Sequence, residues 1–78
     1  MKLYLAIENT STLMEGDSEV VLAVCSTPEL AMSFLKDRFW FIKAKQRGPY
    51  EWFNSVDGEL SVYYRVEEVE LDKSRSET

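Results

Sequence analysis

Histidine is absent from this chain, and cysteine occurs once. Without an imidazole the usual proton carrier at neutral pH is missing, and a Cys/His metal site cannot be assembled. Cys25 has no partner for an internal bridge, which agrees with a reducing compartment. It follows the apolar run of residues 20–24 and reads as a small buried side chain; no base is at hand to make it a nucleophile. Glycine is scarce and scattered. Gly16, Gly48 and Gly58 stand alone, so the chain has no glycine-rich phosphate loop. No apolar run approaches the roughly eighteen residues of a membrane helix, and Glu8 interrupts the run at residues 3–7 before it reaches the length of a secretory leader. These absences point to a soluble, cytoplasmic protein with no cofactor, metal or membrane partner. They also point away from an enzyme. Paired carboxylates, such as Glu67 with Glu68 or Glu70, are the one catalytic arrangement open to the chain, but adjacent residues of a strand face opposite ways, and Glu68 and Glu70 read more simply as the solvent side of an edge.

What is present is apolar and aromatic. A chain of 78 residues that is 45% hydrophobic and 13% aromatic can bury one core and has no room for a second. The expected unit is a single domain over residues 1–72, with residues 73–78 as a flexible, charged tail. The net charge of −5 is unevenly spread. Residues 27–49 carry five basic side chains against two acidic ones, while both flanking stretches are acidic. Any partner therefore meets two chemically distinct surfaces.

The clearest local signal is Ser26-Thr27-Pro28-Glu29. A hydroxyl caps the first free amides, proline occupies the first turn where its missing N–H costs nothing, and glutamate complements the positive end of the helix dipole. A helix starts here, with Leu30, Ala31, Phe34 and Leu35 on one face. Its end is ambiguous. No breaker appears before Gly48-Pro49, so continuation to about Ala44 is expected, with Arg38 snorkelling and Phe39 and Trp40 displayed; the alternative is an end near Asp37 with residues 39–45 extended.

Strand signals surround the helix. Residues 2–7 alternate, with Leu3, Leu5 and Ile7 on one side and Tyr4 and Ala6 on the other. Residues 8–19 read as a polar connection, and residues 20–24 as a central strand covered on both faces, or as one whose second face packs on aromatics. Beyond Gly48-Pro49, residues 50–56 form a short strand, Asp57-Gly58 marks a hairpin, and a long strand returns from Glu59. Leu60, Val62, Tyr64 and Val66 share a face, with Tyr63, Arg65 and Glu67 outward. Val69 and Leu71 have the opposite parity, so a bulge near Glu67-Glu68 is expected if all six meet one core. The fold class is α+β: a single helix packed on one face of a three- to four-stranded antiparallel sheet in ββαββ order.

Three stretches resemble a set of small, uncharacterised bacterial and phage proteins of strand–strand–helix–strand layout. They are the opening Lys2-Leu3-Tyr4-Leu5, the passage from Glu19 through Val24 into Ser26-Thr27-Pro28-Glu29-Leu30-Ala31, and the closing segment from Tyr64 to Asp72. The resemblance implies a layout and no activity. Residues 39–58 depart from it, replacing a short connector with an aromatic-rich insertion.

That insertion carries the functional expectation. Six of the ten aromatics fall within residues 39–53, together with Lys43, Lys45 and Arg47, and aromatics with arginine are the composition of interface hot spots. A domain this small also needs large side chains for its core, so some of the six belong there. The expected contact residues are Trp40, Lys43, Arg47, Tyr50 and Trp52, with Glu67 and Glu70 as an acidic counterpart on the sheet. The leading reading is a small non-catalytic protein-binding module, a phage-encoded inhibitor of a host enzyme or defence complex, anti-CRISPR-like or otherwise anti-defence, acting by surface occlusion. One alternative is a single-stranded nucleic-acid-binding protein that stacks bases on Trp40 and Tyr50. Another is a regulatory subunit that self-associates as a homodimer.

Overall fold

The computed structural model describes residues 1–70. Strand β1 (Lys2–Thr12) and strand β2 (Gly16–Cys25) form a long hairpin, followed by helix α1 (Pro28–Lys36) and a 3-10 turn (Phe39–Lys43). Strands β3 (Lys45–Gly48), β4 (Glu51–Ser55) and β5 (Leu60–Glu70) complete one antiparallel sheet in the order β2-β1-β5-β4-β3. The α+β class holds. Among the described residues the sheet has five strands where three to four were expected, and the added member is β3. Its cations suit a helix C-terminus as well as an edge strand, and pairing of Lys45 with Phe53 and Gln46 with Trp52 decides for the strand.

The helix begins where the sequence places it. Thr27 Oγ1 accepts the Leu30 amide at 3.2 Å, a cap that contributes about 1 kcal/mol. It does not continue to Ala44. Asp37 caps it, and Arg38 leaves in an extended conformation. A helical Arg38 would face the core, whereas the extended one sends its guanidinium to Glu8 on β1, with Nη2 3.1 Å from Oε1 and Nε 3.3 Å from Oε2. The helical face is also rotated from expectation: Ala31 and Leu35 are buried, and Leu30 and Phe34 remain half exposed.

The helix covers the side of β1 that carries Tyr4, Ala6 and Glu8. Ala6, Cys25, Ala31, Leu35, Trp52, Val62 and Tyr64 form the core there. Burying side chains the size of Leu35 and Val62 contributes about 2 kcal/mol each. Leu3, Leu5 and Ile7 lie on the opposite face, which no helix covers; Leu3 and Leu5 are half buried there and Ile7, at 2% exposure, is sealed by its neighbours in the sheet. The expected bulge near Glu67-Glu68 is absent, because β1 and β5 keep one register from Lys2↔Glu70 to Thr12↔Leu60. Val69 pairs with Leu3 and joins the uncovered face, so the parity change reflects two apolar faces. A register shift occurs in β2 instead, where Ala6 pairs with Ala23 and Ile7 with Val21, leaving Leu22 as the extra residue. Nor is β2 a central strand: it is the sheet's edge, and Val20, Val21 and Val24 are half exposed. Leu71 and the tail at residues 73–78 lie outside the described residues.

Both hairpin tips sit at one end of the sheet. Gly16 takes φ +78°, the left-handed conformation that closes the β1–β2 turn. At the β4–β5 turn, Asp57 Oδ1 accepts the amides of Glu59 and Leu60 at 2.7 and 2.8 Å.

Candidate functional site

The 3-10 turn explains how three bulky rings in sequence are sorted. With three residues per turn, side chains three apart eclipse one another. Phe41 and Ala44 therefore point inward together, and the Phe41 ring meets Trp52 at 5.2 Å and Tyr64 edge-on at 5.4 Å. Phe39 and Ile42 point outward together and are 75% and 79% exposed. Trp40 and Lys43 occupy the third side, with Trp40 half buried and in edge contact with Phe39 at 4.7 Å.

The turn is held from below. Buried Asn54 donates from Nδ2 to the Trp40 carbonyl at 2.9 Å, which ties the turn to β4. Deeper in, the Tyr64 hydroxyl donates to Glu8 Oε2 at 2.7 Å, and the same carboxylate takes the Arg38 guanidinium. Burial, together with the Glu8 charge, pushes the Tyr64 phenol well above its usual range. Bonding to Glu8 raises the Arg38 guanidinium in turn. Tyr64 and Arg38 therefore keep their protons through the neutral range, as suits a structural clasp. Among the described residues no group of three or more potential metal ligands occurs.

Two shallow clefts of about 310 Å³ each flank the turn. One is apolar, lined by Phe39, Trp40, Ile42, Lys43 and Asn54. The other is cationic, lined by Lys43, Lys45 and Arg47 with Phe53, Asn54 and Ser55. Arg47 stacks its guanidinium 4.4 Å from the centre of the Phe53 ring, which in turn lies 4.5 Å from Tyr63.

The residues singled out from the sequence separate in space. Trp40 and Lys43 share the turn, and Arg47 stands beside it on β3. Tyr50 is half buried in the β3–β4 connection, where its carbonyl accepts the Val66 amide at 3.0 Å. Trp52 is a core residue and offers a partner almost nothing. Glu67 lies on the uncovered face beside Arg65 at 3.7 Å, whereas Glu70 is on the helix side near the N-terminal amine at 3.5 Å. Opposite parity keeps these two carboxylates off any common surface. The sequence reading omitted Phe39 and Ile42 from the contact set; their spacing of three is the signal, legible once a 3-10 period replaces the α-helical one.

A scan of protein-family models, a search of curated proteins and a search of solved structures each returned no match. Among the described residues, no helix is long and apolar enough to cross a membrane.

Proposed function

We propose that this chain is a non-catalytic protein-binding module that occludes a partner's surface with its 3-10 turn. The observation that carries the reading is the outward pair Phe39 and Ile42, exposed on a turn that Phe41 and Asn54 fasten to the core. Apolar anchors fixed before binding lose little conformational entropy on docking. Lys43, Lys45 and Arg47 beside them suit a partner whose apolar pocket has an acidic rim. Where that pocket belongs to a working site of the partner, the module acts as an inhibitor; a host enzyme or defence complex is the kind of target meant.

The test compares capture by the native chain with capture by the Phe39→Ala/Ile42→Ala double variant. The expected result is a protein retained by the first and lost by the second, with unchanged circular dichroism. Equal retention by both overturns the reading.

The cleft that Lys43, Lys45 and Arg47 line together with Phe53, over which Arg47 stacks, favours a second reading, single-stranded nucleic acid held by stacking and phosphate contact. In that case binding of a labelled oligonucleotide weakens steeply with salt, and loss of Lys45 and Arg47 flattens the slope.

A further inference from the structure

We propose that β2 is a self-pairing edge, through which two copies of this chain join their sheets across a twofold axis between Leu22 and Ala23. This goes beyond the binding role of the turn and does not depend on it.

The two edges of the sheet differ in kind. β3 is four residues long, carries Lys45 and Arg47, and has an irregular register, all of which discourage strand addition. β2 is ten residues long and carries no lysine, arginine or proline. Val21 and Val24, on its uncovered face, are 51% and 58% exposed.

The free backbone groups of β2 can be located. Val66 gives its amide to Tyr50, the residue just before β4, so the Val66–Ala6 pair is of the non-hydrogen-bonded kind. Ala6 then bonds Ala23 on β2, and Val21 and Val24, with side chains on the other face, turn their N–H and C=O outward.

The extra residue makes the strand self-complementary. From Val20 to Cys25 the side chains point to the helix side, the open side, the helix side twice, the open side and the helix side. That pattern reads the same in both directions about its centre. An antiparallel second copy with Val21 opposite Val24 therefore matches every face and pairs the outward groups reciprocally, as an isologous contact requires. Asp17 and Glu19 fall toward the outer ends of this register, away from their counterparts.

The helix adds an apolar cover. α1 runs parallel to β1, since it starts at Pro28, just after Cys25, which pairs with Tyr4, and Arg38 reaches Glu8 past its end. Val66 aims its side chain at the helix and its amide at β4, which fixes the handedness of the layout. A right-handed helix with Ala31 and Leu35 on the sheet then turns Leu30 and Phe34 toward β2. Both are about half exposed, at 51% and 47%. Phe34 lies about 9 Å along the helix from Pro28, level with Leu22 about 10 Å along β2 from Cys25, so the two copies of Phe34 meet near the axis.

Sedimentation over a wide concentration range tests the proposal, with the native chain expected to reach a dimer. Val21→Lys with Val24→Lys is expected to weaken dimerisation on the order of 100-fold, as charges at an interface centre do, with unchanged circular dichroism. Phe34→Cys in a Cys25→Ser background is expected to cross-link between copies when diamide oxidises the thiols, which keeps the test open should the lysine variant fail to fold. Phe39→Ala/Ile42→Ala is expected to leave the dimer intact, separating this edge from the turn. A monomer at every concentration overturns the proposal, and a monomer whose capture of another protein is lost with Val24→Lys assigns the edge to a foreign strand. A dimer indifferent to the lysine variant, or one lost with the turn variant, overturns it as well.

Discussion

The two flanks of this sheet are built from different materials. On the β1–β2 flank the helix meets the sheet through small side chains, Ala31 with Ala6 and Cys25, and through one larger one, Leu35. On the β4–β5 flank the filling is aromatic: Phe41, Trp52 and Tyr64 interlock beneath the turn. Small residues let an element sit close and leave its neighbours Leu30 and Phe34 partly uncovered. Rings fill their own space and hold a short, irregular segment in one shape. The comparison teaches that the helix is seated on small side chains, and the turn is held by interlocking rings.

The largest effect should come from removing a ring. Trp52→Ala is expected to destabilise the fold by about 3–5 kcal/mol, read from denaturant midpoints, because the cavity opens under both Phe41 and the turn. The reciprocal change on the other flank is overpacking. Ala31→Leu should cost about 1–3 kcal/mol by lifting the helix, and a loss as large as that of Trp52→Ala would erase the distinction between flanks.

Next comes the clasp that joins them. Tyr64→Phe leaves Glu8 without its buried donor and should cost about 1–3 kcal/mol. Because the folded state holds the Tyr64 proton above the ordinary value of 10.0, the folded protein keeps a proton that the unfolded chain releases. This contribution is whole below pH 10 and is lost as pH rises beyond it. Midpoints should therefore fall on the alkaline side in the native chain and fall less in Tyr64→Phe. The smallest effect is expected for Thr27→Ala, about 1 kcal/mol, which removes the cap and touches neither packing scheme.

How much of this was legible depended on how local its cause was. Thr27, Pro28 and Glu29 fix the start of the helix within one turn of chain, and Asp57 closes its hairpin through its own side chain. The end of the helix is set by Arg38 bonding Glu8, thirty residues away, and by Phe41 finding Trp52 and Tyr64. No spacing rule contains those contacts. β3 was hidden for a related reason, since cations suit a helix end and an edge strand equally. The parity change at Val69 was seen correctly and assigned to the wrong cause, because a single apolar face was assumed. Of the candidate site, composition singles out Trp40, Lys43 and Arg47, which the fold places together on the turn and β3. Trp52 was misplaced because an alternating strand does not reveal which of its faces is covered.

The two tryptophans sit in unlike surroundings, one at the rim of the turn and one sealed beneath it, and this gives the molecule its own optical readout. Collisional quenchers such as iodide should reach the indole of Trp40 and spare that of Trp52. A ligand seated on the turn would shield the first without changing the second, whereas loss of structure would expose both. Fluorescence of the unlabelled chain can therefore tell docking from melting in a single titration.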